Sequence, residues 1–255
     1  MSDKIIELHH WLDSPPGQYL LGWEQGRYDE AVADLFGYHA LQLGLPWVDG
    51  LRANRMARRW LALDEGYKAL ALSPTLWADP VALPFPENSL DLVLLPHTLE
   101  LAGDPHATLR EVARVLVPEG RVVVSGFNAS SLWGLRQRRA RLLRGSLYLP
   151  DEGQFIGYWR LRDWLRLLSF EVESANFGCY RPAVDSGPWL ERFRWMDAAG
   201  PRWWPILGAA YFVVAVKRVH GMRLLEPAWR SQRQRAAAPI PVASRHHVKK
   251  TKDSV

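Results

Sequence analysis

DPVALPFPENSLDLVLLPHTLELAGDPHATLREVARVLVPEGRVVVSGFN, residues 79–128, reads as loop, strand, loop, helix, turn and strand. Leu90–Leu95 is a nearly continuous apolar run with turn formers before it and Pro96 after it, which suits a strand buried on both faces. Asp104-Pro105 opens a helix, with Asp as N-cap and Pro at the first helical position. Leu109, Val112, Ala113 and Leu116 fall at i, i+3, i+4 and i+7, while Arg110, Glu111 and Arg114 take the other face. Pro118-Glu119-Gly120 is expected to stop this helix, and Arg121–Phe127 to form a second buried strand. Strand, helix and strand then fit a parallel pair with a right-handed crossover.

Outward from this unit, Tyr38–Gly44, Arg59–Leu63, Lys68–Leu72, Phe170–Ala175 and Gly208–Arg218 are further strand candidates, giving seven in all. Leu161, Trp164, Leu165 and Leu168 make a helical stripe, and Pro188–Ala199 reads as a Trp-rich helix. Residues 1–36 read as a helical preface, with Ala31, Val32 and Leu35 at helical spacing and Pro15-Pro16-Gly17 breaking the chain before them. Trp11 and Trp23 either cover a sheet edge or help to shape a substrate pocket. The expected organisation is one doubly wound α/β domain over residues 1–225 and a tail over 226–255.

With 48% hydrophobic and 23% charged residues in a chain of 255, the composition is globular, with ample material for a core. The single cysteine, Cys179, excludes an intramolecular disulfide and a Cys-based metal cluster, so no metal site is expected. No apolar run follows a basic start, so no signal peptide is expected, and the longest apolar run, Ile206–Val216, is too short to cross a bilayer. A cytoplasmic protein is the expectation.

LPFPENSLDLVLLPHTLE, then DP, then LREVARVLVPEGRVVVSGFN, resembles the middle of a class I S-adenosylmethionine-dependent methyltransferase of the type 11 group. With SGFN followed by SLWGLR, the order is similar to a bacterial YafS-like subgroup. The resemblance implies a Rossmann-like seven-stranded sheet, mostly parallel with an antiparallel last strand, and helices on both faces. It also implies S-adenosyl-L-methionine as cofactor and methyl transfer to a small-molecule or nucleic-acid acceptor that the sequence does not name. Methyl transfer from a sulfonium needs alignment more than acid–base help, so the lack of an obvious catalytic pair does not count against it.

The resemblance also assigns site residues. In that family the first strand runs into a Gly-rich turn that lets the backbone approach the cofactor. Here Gly44 and Gly50 are the glycines of LGLPWVDG, with Pro46 and Trp47 between them. The carboxylate that accepts from the ribose hydroxyls falls on Asp64, with Glu65 beside it; an ordinary acidic turn before Gly66 is the alternative. Asp79 falls where the family's Asp accepts from the adenine amine, and Val81 and Leu83 suit the sandwich around the ring. Asp-Pro is also a plain turn opener. His97, at the carboxyl edge of the fourth strand, is either a general base, a cofactor contact or a ring that merely bonds backbone.

Five arginines, 136, 138, 139, 141 and 144, follow the fifth strand on the same edge. They are either a solvated face or, for Arg136, Arg138 and Arg139, a grip on a phosphate or carboxylate of the acceptor. Residues 226–255 hold seven Lys or Arg against Glu226 and Asp253, a net +5 that equals the charge of the whole chain. This tail is a solubilising terminus or a tether to RNA or another polyanion. A second reading from another class follows from these features: a degenerate methyltransferase fold serving as a non-catalytic RNA- or protein-binding module.

Overall fold

The computed structural model describes residues 2–143, 145, 147–150 and 155–218, all within one compact unit. Arg144 and the basic tail lie outside the described residues. Among those described, seven strands form one sheet: β1 (His39–Leu43), β2 (Arg58–Leu63), β3 (Leu76–Trp77), β4 (Leu90–Pro96), β5 (Leu116–Phe127), β6 (Phe170–Gly178) and β7 (Ala210–Lys217). Their spatial order is β3-β2-β1-β4-β5-β7-β6. β1 to β5 pair in parallel, and β7 is antiparallel to both its neighbours.

The continuous apolar run of β4 has the physical reason expected of it, since both faces of the sheet are covered. Leu92 and Leu94 point into one core with α1 (Ser2–Leu12), α2 (Pro15–Val32) and Trp133 of α5 (Leu132–Leu143). Val93 and Leu95 point into the other, with Leu109 and Val112 of α4 (Pro105–Val115) and Leu161 and Leu165 of α6 (Tyr158–Leu167). A short α3 (Thr98–Leu101) follows β4, and α7 (Gly187–Arg192) and α8 (Trp195–Trp203) lie between β6 and β7 in the chain.

Several expected elements take another form. Lys68–Leu72 is not a strand: Glu65–Leu70 winds into a 3-10 turn, and the third strand comes later, at Leu76–Trp77. Pro15-Pro16 opens α2 instead of breaking the chain, because Ser14 caps the helix and the prolines occupy first-turn positions that need no amide donor. Pro188–Ala199 divides at Phe193 into α7 and α8. α4 ends at Val115, before Pro118, since Leu116 already pairs with Leu90 and the register shifts beyond it, with Glu119 at φ +63°. No helix of the described residues is long and apolar enough to cross a membrane.

Candidate functional site

The carboxyl ends of β1, β2 and β4 meet where open α/β sheets bind ligands. β1 runs into Gly44, whose φ of +79° disfavours any side chain and whose added Cβ would lie 3.1 Å from Thr98 Oγ1. The Thr98 hydroxyl donates to the Leu43 carbonyl and so ties the start of α3 to the end of β1. No helix separates Gly44 from β2 among the described residues. Instead the buried amide of Gln42 holds the loop to the sheet. Its Nε2 donates to the carbonyls of Leu45 (3.0 Å) and Val48 (2.6 Å), and its Oε1 accepts from the Gly50 amide at 2.9 Å. A loop pinned by one glutamine, and no helix, therefore follows the Gly44 turn.

Asp64 leaves β2 and accepts from the Gly66 amide at 2.7 Å through Oδ1. Burial raises its pKa, the Gly66 amide pulls it down, and the Asp79 carboxylate pushes it up again, so the two acids share one neighbourhood. Asp79 accepts from the Val81 amide at 3.0 Å. Val81 is exposed and Leu83 buried. Above them the Tyr67 hydroxyl accepts from the Leu45 amide at 3.2 Å, α1 packs on the 3-10 turn, and His9 stacks on Trp47 at 4.5 Å. Under this cover the cavity among Gly44, Asp64, Tyr67, Pro80, Thr98 and Leu101 measures about 10 Å³. That is room for a single water.

His97 follows β4 with φ +50° and is fully buried. Its Nε2 lies 2.9 Å from Glu24 Oε1 of α2, and its Nδ1 lies 2.6 Å from Glu100 Oε2 of α3. Burial by itself would lower the imidazole pKa, but the two carboxylates outweigh it and hold it up to about 10. Burial pushes the Glu100 carboxyl up, and His97 offsets part of that shift. Both ring nitrogens of His97 are engaged by carboxyl groups of α2 and α3, so neither faces a ligand. The ring is the centre of a sealed cluster with Glu24 and Glu100 that fastens α2 to the end of β4. Beside it, Tyr28 donates to Ser125 Oγ at 3.1 Å, Glu100 Oε1 accepts from the Phe127 amide at 2.5 Å, and the buried Glu24 Oε2 and Tyr211 hydroxyl have no partner among the described residues. Sequence reasoning missed both glutamates. Leu20, Glu24 and Tyr28 share one helix face at i, i+4 spacing, so a charge inside an apolar stripe was the available signal.

Arg136 donates to the Ala183 carbonyl, lies 3.3 Å from Asp185 and sits over the Tyr148 ring at 4.3 Å, so it braces α5. Arg138 and Arg139 are exposed on the outer side of the same helix, and none of the three lines the cavity beside Gly44. Trp11 donates to the Tyr148 carbonyl at 2.7 Å and meets Phe127 edge-on, covering the end of β5, while Trp23 packs on Gly178 at the end of β6.

A mostly parallel seven-stranded sheet in which an antiparallel β7 slots between β5 and β6 is the arrangement of a Rossmann-like methyltransferase. Residues 54–124 match the methyltransferase domain family. The chain is 34% identical over 167 residues to the uncharacterized protein YafS of Escherichia coli K12, covering 65% of this chain and 66% of that one. It is 32% identical over 120 residues, 46% of each chain, to UbiE of Paraburkholderia phymatum, a ubiquinone/menaquinone biosynthesis C-methyltransferase. It also superposes with a TM-score of 0.55 at 18% identity on a chain of the complex between the Haloferax volcanii Trm112 methyltransferase activator and a methyltransferase, over 84% of this chain and 97% of that one. The chain belongs to the class I methyltransferase family, in its type 11 group. The matched segments span about two thirds of YafS and under half of UbiE.

Membership implies S-adenosylmethionine as cofactor. The donor set fits it: Asp64 keeps Oδ2 free of the capping bond, Asp79 stands beside it, and Gly44 offers bare backbone. The closed cover over Gly44 and Asp64 is the feature that a bound nucleoside would have to displace.

Proposed function

We propose that the protein transfers a methyl group from S-adenosylmethionine to an acceptor still to be identified, a small molecule or a nucleic acid, in the bacterial cytoplasm. The observation that carries this reading is the pair Asp64 and Asp79 at the carboxyl edge beside the left-handed Gly44. Asp64 would accept from the ribose hydroxyls, because an anionic acceptor suits a vicinal diol, and Asp79 from the adenine amine, with Val81 and Leu83 against the ring. Gly44 would let the methionine end lie on the backbone. When bound, the cofactor supplies an electrophilic methyl group, and the protein's part is to align a nucleophile with it. Entry requires α1 and the 3-10 turn to draw back from the Gly44 turn.

Thermal unfolding of the full chain with and without S-adenosylhomocysteine tests this. Ligand at a hundredfold over its dissociation constant stabilises by about 2.7 kcal/mol. That is a shift of roughly 5–10 °C at this size. The shift should vanish in Asp79→Ala while the ligand-free variant stays folded; an unchanged shift there would sink the adenine assignment.

The second reading is a cofactor-free binding module. No shift at millimolar ligand, together with a partner retained on the folded chain, would select it.

A further inference from the structure

α5 buries Trp133, Gly134 and Gln137 and turns Leu135 and Leu142 to the opposite side, between Arg138 and Arg139. Leu142 is 84% and Leu143 68% exposed, and with Leu135 they make a group rather than a single surface leucine. The α7–α8 segment has the same character. Trp203 is 73% exposed, and Trp189, Trp195 and Ile206 each more than half. The two segments are tied together at their bases. Trp133 Nε1 donates to the Arg181 carbonyl at 2.8 Å, and Asn128, just ahead of α5, donates to the carbonyls of Ile206 (2.7 Å) and Gly208 (2.9 Å).

The charge of this surface is one-sided. Its acids are already engaged: Asp185 with Arg136, and Glu191 and Asp197 with Arg181. Arg138, Arg139, Arg192, Arg194 and Arg202 are exposed and, among the described residues, have no ion-pair partner. Arg192 instead lies over the Trp189 ring.

We propose that α5 and the α7–α8 segment form a docking surface for an anionic phospholipid bilayer. Tryptophan and arginine are at home at the headgroup level, where an amphipathic ring or a snorkelling guanidinium spans apolar and charged layers. The exposed leucines decide between polyanions. A nucleic acid would use the arginines and stack on the tryptophans but offers aliphatic side chains no apolar phase, whereas a bilayer buries them and attracts the cations. The contact is peripheral, since no described helix can span. It is independent of the cofactor reading, because none of these residues lines the cavity beside Gly44.

The test is flotation of the full chain with vesicles of phosphatidylcholine alone or mixed with phosphatidylglycerol. Flotation with the mixed vesicles only, falling steeply with added salt, is the expected result. The triple variant Leu135→Glu/Leu142→Glu/Leu143→Glu should keep the wild-type unfolding temperature and lose flotation, and Arg138→Gln/Arg139→Gln should weaken it by about tenfold or more. If the triple variant misfolds, Leu142→Glu alone serves, as that side chain touches little. Absence of flotation with anionic vesicles overturns the proposal. So does a folded leucine variant that floats like wild type, which would move the contact to the basic tail. RNA retention that needs the arginines but not the leucines, without flotation, would make the surface a nucleic-acid face instead.

Discussion

Two pairs of carboxylates stand at the same edge of one sheet and are used in opposite ways. Asp64 and Asp79 lie beyond β2 and β3, each accepting from a backbone amide and, among the described residues, in no side-chain salt bridge. Glu24 and Glu100 are buried near the end of β4, with the His97 ring between them. The first pair keeps unspent acceptor capacity, which a ligand can use. The second is committed to holding the fold, since an ion removed from water is tolerated only when it is paired. Chemistry at an active-site address is therefore no guide to role until the partners of each group are known.

The sharpest way to break this contrast is His97→Ala, which leaves two buried carboxylates facing each other. It should cost about 3–5 kcal/mol. Calorimetry should then show unfolding lowered by roughly 6–20 °C. A loss below about 1 kcal/mol would show that the cluster is not ionic.

The same cluster has a pH signature. The folded His97 pKa, about 10, lies above its ordinary 6.5. Its contribution is therefore complete below 6.5 and is lost as pH rises through 10. Glu24, Glu100, Tyr28 and Tyr211 face it from α2, α3 and β7, and Glu100, raised by burial, pulls in the same direction. The unfolding temperature should fall by several degrees from pH 7 to pH 10 in the wild type, with a much flatter profile in His97→Gln. Equal slopes would place the titrating group elsewhere.

A smaller effect sharpens the other side. Gly44→Ala forces a Cβ into a left-handed backbone and should cost about 1–2 kcal/mol, measurable by urea unfolding. Smallest of all on stability is Asp79→Asn, expected within about 0.5 kcal/mol of wild type, yet with the ligand-dependent shift abolished. A variant that destabilised without touching that shift would reverse the roles assigned to the two pairs.

What the sequence made legible follows the same division. Leu90–Leu95 and the stripe Leu109, Val112 and Ala113 gave the central unit, because periodicity records burial directly. Lys68–Leu72 misled, since five residues of alternating apolar character fit a strand or a turn equally well, and the true β3 has only Leu76 and Trp77. Gly44, Asp64 and Asp79, the residues proposed for the cofactor, rest on the resemblance and not on periodicity, each standing at the end of an element or in the loop after it. Glu24 was out of reach as a partner of His97 because the two are 73 residues apart, and no local pattern pairs them. The same holds for Gln42, whose sequence neighbourhood says strand and whose amide organises the following loop.

The position of β7 bears on how the chain comes together. Among the described residues β6 pairs with β7 alone, and β7 lies between β5 and β6, so neither β5 nor β6 can complete its ladder until residues 210–217 have left the ribosome. Until then, both strands present unpaired amides and carbonyls to the cell, the condition in which sheets recruit the wrong partner. A chain interrupted just before Ala210 would lack more than β7: β5 would keep an open flank and β6 would have no sheet to join, and release of residues 210–217 is the event that unites them.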